Sequence, residues 1–177
     1  MKRALVRCLV LAACAAAIAG CYASRALLLE PDEAVQPLAE GTYASDADPA
    51  NRYRLTLEAD GWYDVEQFNA NGTIGATHHV LFNALDPVAG RAAYAGAVEQ
   101  ADGYEYLVVL TDGPKVYLAT PDCGDPLDRD VAVDHGGEPG DDDAMTRNCT
   151  FSSRSALVAA LSAYAGQADF GSPFRRH

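Results

Sequence analysis

Two adjacent histidines, His78 and His79, carry the side chains of this chain best suited to proton transfer or metal ligation. Neighbours on a strand point to opposite faces, so the pair cannot readily hold one metal. One faces a core or cavity and the other faces solvent, and a hydrogen-bonded structural histidine is the default for either. A run of carboxylates from Asp122 to Asp143 is the second cluster. Asp125, Asp128 and Asp130 are its calcium candidates, because hard oxygen ligands suit that ion. Their spacing lacks the Asp-x-Asp-x-Asp-Gly pattern of an EF-hand, and a solvated charge run is the commoner meaning. Nucleophilic chemistry finds no Gly-x-Ser-x-Gly elbow, Ser-x-x-Lys or His-Glu-x-x-His. Nothing singles out a carboxylate pair, and no cofactor motif is present. The chain therefore reads as non-enzymatic, with no cofactor expected.

Aromatics form the third group. Tyr94, Tyr104 and Tyr106, with His78, are candidates to face a ligand if the strands bearing them enclose a cavity. Ordinary cross-strand packing is the competing explanation.

The elements that carry these residues read as mainly β. Asp60-Gly61, Asn71-Gly72, Asp102-Gly103 and Asp112-Gly113 are hairpin dipeptides, since Gly, Asn and Asp tolerate positive φ. Turn signals at this spacing indicate an antiparallel meander, sandwich or barrel. Arg52 to Glu58 alternates strictly, with Tyr53, Leu55 and Leu57 on one face. Further strands are expected over Trp62–Phe68, Thr73–Asn83, Ala92–Gln100, Tyr104–Thr111 and Lys115–Thr120, with a short one at Tyr43. Asp86-Pro87 and Gly90 mark a longer loop between the third and fourth. The fold expected is an antiparallel meander of six or seven strands, a curved sheet or small barrel. One C-terminal helix over 153–165 packs on it. Ser152 or Ser153 caps that helix, Gly166 ends it, and Leu157, Ala160, Leu161, Tyr164 and Ala165 share one face. Between sheet and helix, residues 121–149 read as an acidic loop broken by Gly and Pro.

The N-terminus has a different grammar. Lys2, Arg3 and Arg7 precede an apolar run from Cys8 to Ala19, too short to span a bilayer, which takes about 20 residues. This is the form of a secretory signal. Ile18-Ala19-Gly20-Cys21 resembles a bacterial lipobox at all four positions. The resemblance implies cleavage before Cys21 and lipidation of its sulfur and new amine. Several acyl chains are needed, because one gives only marginal binding, with K about 10⁴ per molar. An ordinary signal peptide with an incidental Cys21 is the alternative. Tyr22 in place of Asp after the Cys implies the outer membrane, facing the periplasm. Residues 1–20 are then the signal, 21–40 a lipidated flexible tether, 41–170 the domain and 171–177 a loose tail.

Losing Lys2, Arg3 and Arg7 leaves ten basic against 25 acidic residues, a formal charge of −15. Such a surface repels phosphate backbones, so nucleic acid is not expected as a partner. With Cys8 and Cys14 removed and Cys21 lipidated, Cys123 and Cys149 remain. One pair in an oxidising compartment reads as a disulfide, with free thiols or a metal site as alternatives. Tyr104-x-Tyr106, then Tyr117-Leu118-x-x-Pro121-Asp122-Cys123, then Cys149 and a Leu/Ala helix are similar to uncharacterised proteobacterial envelope proteins, a resemblance that implies no activity. Two roles fit these features. One is a lipid-anchored envelope module that meets a protein partner. The other is lipocalin-like binding of a small amphipathic ligand in a Tyr-lined cavity.

Overall fold

The computed structural model describes residues 22–140 and 148–177. Ile18 to Cys21, and with them the expected lipid site, lie outside the described residues, as do Asp141, Asp142 and Asp143. The described chain opens with a short strand, β1 (Tyr22–Ser24). The turn dipeptides then join an up-and-down series of seven: β2 (Gly41–Ser45), β3 (Arg52–Leu57), β4 (Tyr63–Phe68), β5 (Ile74–Val88), β6 (Arg91–Gln100), β7 (Gly103–Asp112) and β8 (Lys115–Ala119). Helix α1 (Pro126–Asp134), strands β9 (Glu138–Pro139) and β10 (Cys149–Thr150), helix α2 (Arg154–Gln167) and strand β11 (Phe174–Arg176) complete the order.

Closure comes from the far end of the chain. Strand β11 lies between β8 and β2, with Phe174 opposite both Val116 and Ser45. It joins the edges of the seven-stranded meander into an antiparallel eight-stranded barrel. Closure leaves neither edge of the meander free to pair with another chain.

The alternation of each strand separates two apolar layers. Inward-facing Tyr43, Leu55, Tyr63, Val80, Phe82, Val109 and Val116 cluster inside the barrel. Outward-facing Leu81, Ala93, Ala95, Ala97, Val108 and Leu110 pack under α2, whose buried stripe is Leu157, Ala160, Leu161, Tyr164 and Ala165. Small alanines on β6 let the helix approach the sheet. Burying Leu157 and Leu161 there stabilises the docking by roughly 1.5–3 kcal/mol each. Ser153 caps α2 by accepting from the Ala156 amide at 3.2 Å, and the helix runs past Gly166 to Gln167.

Several segments differ from the sequence expectation. Residues 22–40 of the segment assigned as a tether are built into the fold. Tyr22 is fully buried, Leu29 nearly so, and β1 pairs antiparallel with β7 and parallel with β10. Three-residue strands are too short to show a period, which is why β1 left no alternation to read. The tail assigned to 171–177 contains the closing strand β11 for the same reason. Within the loop 121–149, α1 forms with Asp125 as its N-cap, accepting from the Leu127 amide at 2.8 Å, and with Pro126 at its first position. Only Ala132 of that helix is buried, so it carries no apolar stripe. The longer loop expected near Pro87 is replaced by an extended β5 and a two-residue turn at Ala89-Gly90. A register shift between Leu85 and Val88 accommodates the proline. Cys123 and Cys149 form a disulfide, with Cα atoms 5.7 Å apart, that ties the end of the meander to β10.

Candidate functional site

The barrel interior is a concave feature to which the chain gives mixed chemistry. Strands β3, β4, β5, β6, β7 and β8 turn alternate side chains into a cavity of about 400 Å³. That volume falls within the range of small-molecule sites. Its wall is mainly aliphatic, with Leu55, Val65, Val80, Val98, Leu107, Val109, Val116 and Leu118.

One end is closed by the N-terminal segment. Residues 30–40 cross the end that holds the β3–β4 turn. Val35 and Leu38 pack against the inner cluster. The Val35 amide donates to the Phe82 carbonyl at 2.9 Å. Two inward tyrosines hold the same segment: Tyr63 donates to the Leu38 carbonyl at 2.7 Å and Tyr43 to the Ala39 carbonyl at 2.8 Å. Asn83, a buried amide, accepts from the Glu30 amide at 2.8 Å and donates to the Glu30 carbonyl at 3.0 Å. Its four-way hydrogen-bonding capacity makes it a register pin for a segment without regular structure. Arg154, at the start of α2, pairs with Glu33.

Toward the opposite end the lining becomes polar. Gln67, His78, Gln100, Glu105 and Thr120 contribute there. Glu105 lies across from Val98 on β6 and Ala23 on β1. Its Oε2 accepts from Gln100 Nε2 at 3.0 Å. Burial pushes its carboxyl above the ordinary glutamate value, and the Gln100 hydrogen bond opposes that shift only in part. Tyr53, also raised by burial, receives a long contact of 3.5 Å from Gln67 Nε2.

The inner layer is unevenly buried, with Tyr63, Phe82 and Val109 closed off. Ala95, Ala97 and Val108, which point outward from the barrel, are wholly dry beneath α2. Val65, Val98 and Leu107 point inward and are only half-buried. Those three side chains leave part of the barrel interior accessible to solvent, beside the part that Tyr63, Phe82 and Val109 fill. Gly96 is part of this shaping. A Cβ there would lie 2.7 Å from Leu107 Cδ1 and 2.9 Å from Phe82 Cε1, so its absence lets those two side chains meet across β6.

The residues singled out from sequence fall in different places. His78 lines the cavity. His79 points outward, stacks on Trp62 at 4.4 Å and sets Nδ1 3.0 Å from Glu99 Oε2. Tyr106 borders the cavity, but its hydroxyl lies 2.7 Å from Ser24 Oγ and accepts from the Leu28 amide at 3.1 Å. Tyr94 packs against the inner cluster, and Tyr104 against the outer one. The tyrosines that line the wall beside Tyr106 are Tyr43 and Tyr53. Asp125 and Asp128 hold backbone amides, Asp128 accepting from the Asp122 amide at 2.9 Å, while Asp130 is exposed on α1. Among the described residues no group of three or more metal-ligating side chains converges.

Sequence reasoning missed Glu105. Its neighbours Tyr104 and Tyr106 drew the ligand-facing reading to the opposite parity of β7, of which Tyr106 borders the cavity. The signal was present: the helix stripe suits the alanine face of β6, so Tyr94, Gly96 and Val98 must point inward. The tight turn at Asp102-Gly103 then sets Glu105 beside Val98 on that inner face.

No family model, no curated protein and no solved structure matches the chain.

Proposed function

We propose that the protein binds a small amphipathic ligand inside its barrel, with the ligand's apolar body against the aliphatic wall and its polar group near Glu105 and Gln100. The observation that carries this reading is the partial exposure of Val65, Val98 and Leu107 around a 400 Å³ interior. Wet apolar surface facing inward is costly, at about 25 cal/mol per Å², and an apolar ligand offsets that cost. Native mass spectrometry of protein purified without harsh detergent tests it. A reproducible bound small molecule, released by organic solvent, is expected. Ligand-free protein that also fails to take up a neutral apolar dye in a saturable manner would overturn the reading.

The lipobox residues Ile18 to Cys21 support a second element, an envelope protein anchored by lipid on Cys21 in the outer membrane and facing the periplasm. Because Tyr22 belongs to the sheet, a lipid on Cys21 holds the barrel at the bilayer surface with no slack. An apolar ligand would then enter or leave close to the membrane, and an envelope protein could exchange it. Palmitate labelling of the native chain and its loss in Cys21→Ser is the expected result; labelling that persists in the variant refutes the anchor.

A further inference from the structure

We infer that the ligand is a cationic amphiphile, an aliphatic or aromatic amine whose ammonium group is met by the Glu105 carboxylate. This inference rests on the proposed ligand-binding role and names the ligand's chemistry. The cavity lining contains no lysine or arginine, and Glu105 is its one acidic side chain. A carboxylate in an apolar cavity carries a desolvation cost that an opposite charge would offset. Gln100 supplies one neutral hydrogen bond at 3.0 Å to Oε2. That amide brings no positive charge, so the missing partner of the carboxylate is a cation supplied from outside.

The remaining lining agrees with this direction. His78 on β5, Tyr106 on β7, Tyr53 on β3 and Tyr43 on β2 are the other titratable side chains there, and none is a lysine or arginine. The chain carries a formal charge of −12, which draws cations and repels anions over the whole surface. A fatty acid of the same apolar length would set its carboxylate beside Glu105 with nothing to neutralise either group. The aliphatic wall gives both ligands the same apolar contact, so discrimination falls to the polar end.

The test uses the purified protein loaded with N-phenyl-1-naphthylamine, a neutral apolar dye whose fluorescence rises on burial. Decylammonium and decanoate, each below its micelle concentration at pH 7.4, compete for the dye in native protein and in Glu105→Gln. The expected result is that decylammonium displaces the dye at roughly one-tenth the concentration of decanoate or less, as one charge-assisted hydrogen bond would give. In Glu105→Gln decylammonium and decanoate are expected to bind with similar affinity, read by calorimetry as well as by dye displacement. Dye binding with equal displacement by both competitors overturns the amine assignment and leaves the binding role standing. A preference that survives in Glu105→Gln removes Glu105 as its source and also overturns the inference. Failure of the native protein to bind the dye removes the binding role, and the inference with it.

Discussion

Replacing Tyr22 by alanine should destabilise the protein by about 3–5 kcal/mol, the cost of truncating a fully buried aromatic. The side chain is 0% exposed and sits among the rings of Phe151 and Tyr164, with centroids 5.2 and 6.2 Å away. Its hydroxyl donates to the Asp128 carbonyl at 2.6 Å, joining the first described residue to α1. Burial, reinforced by the Asp128 carboxylate, pushes the hydroxyl's pKa up, so it remains a donor throughout the working range. Tyr22→Phe isolates this bond and should cost about 1 kcal/mol, because the packing survives while one carbonyl loses its partner. Urea unfolding of the native chain and both variants reads the two quantities as midpoint shifts at constant slope. A cost below about 1 kcal/mol for Tyr22→Ala would mean that β1 detaches freely, and the segment up to residue 40 would be the tether its composition suggested.

Three further outcomes follow from particular contacts. Gly103 has φ of +149°, and a Cβ there would fall 2.2 Å from the Ser24 carbonyl oxygen, so Gly103→Ala should push β1 off β7. Faster amide exchange at Tyr106 and Cys149 reads that loss, and unchanged exchange refutes it. Glu105→Gln should be more stable than native protein at pH 7 and equal to it near pH 4. A carboxyl raised above 4.5 by burial holds its proton more tightly when folded, so the folded state loses stability as pH rises through the window between 4.5 and the raised value. Thermal melts at the two pH values check the sign, and a destabilised variant at pH 7 contradicts it. Breaking the Cys123–Cys149 bridge, which spans 26 positions, should cost roughly 3–4 kcal/mol on the chain-entropy model, measured by urea unfolding of the double serine variant.

Long alternating strands were legible because their pattern repeats often enough to define a face. Tyr53, Leu55 and Leu57 read as one face, and that face is the barrel interior. The α2 stripe was legible for the same reason, at the helical period. Short elements were not: β1 and β11 have three residues each, and their pairing depends on partners far away in the chain. Closure of the barrel was therefore hidden, since it rests on Phe174 reaching both Val116 and Ser45. The site was half legible. Opposite faces for His78 and His79 follow from strand geometry alone, whereas the face of β7 that lines the cavity depends on where α2 docks.

Binding of N-phenyl-1-naphthylamine to native protein and to Val98→Trp, which places an indole inside the cavity from its partly exposed wall, tests most directly whether the interior is a ligand site. One equivalent of dye should saturate the native barrel, and the filled variant should lose that binding while unfolding cooperatively in urea. Equal dye binding by both, with the variant folded, would place the dye elsewhere and contradict a binding site within the barrel.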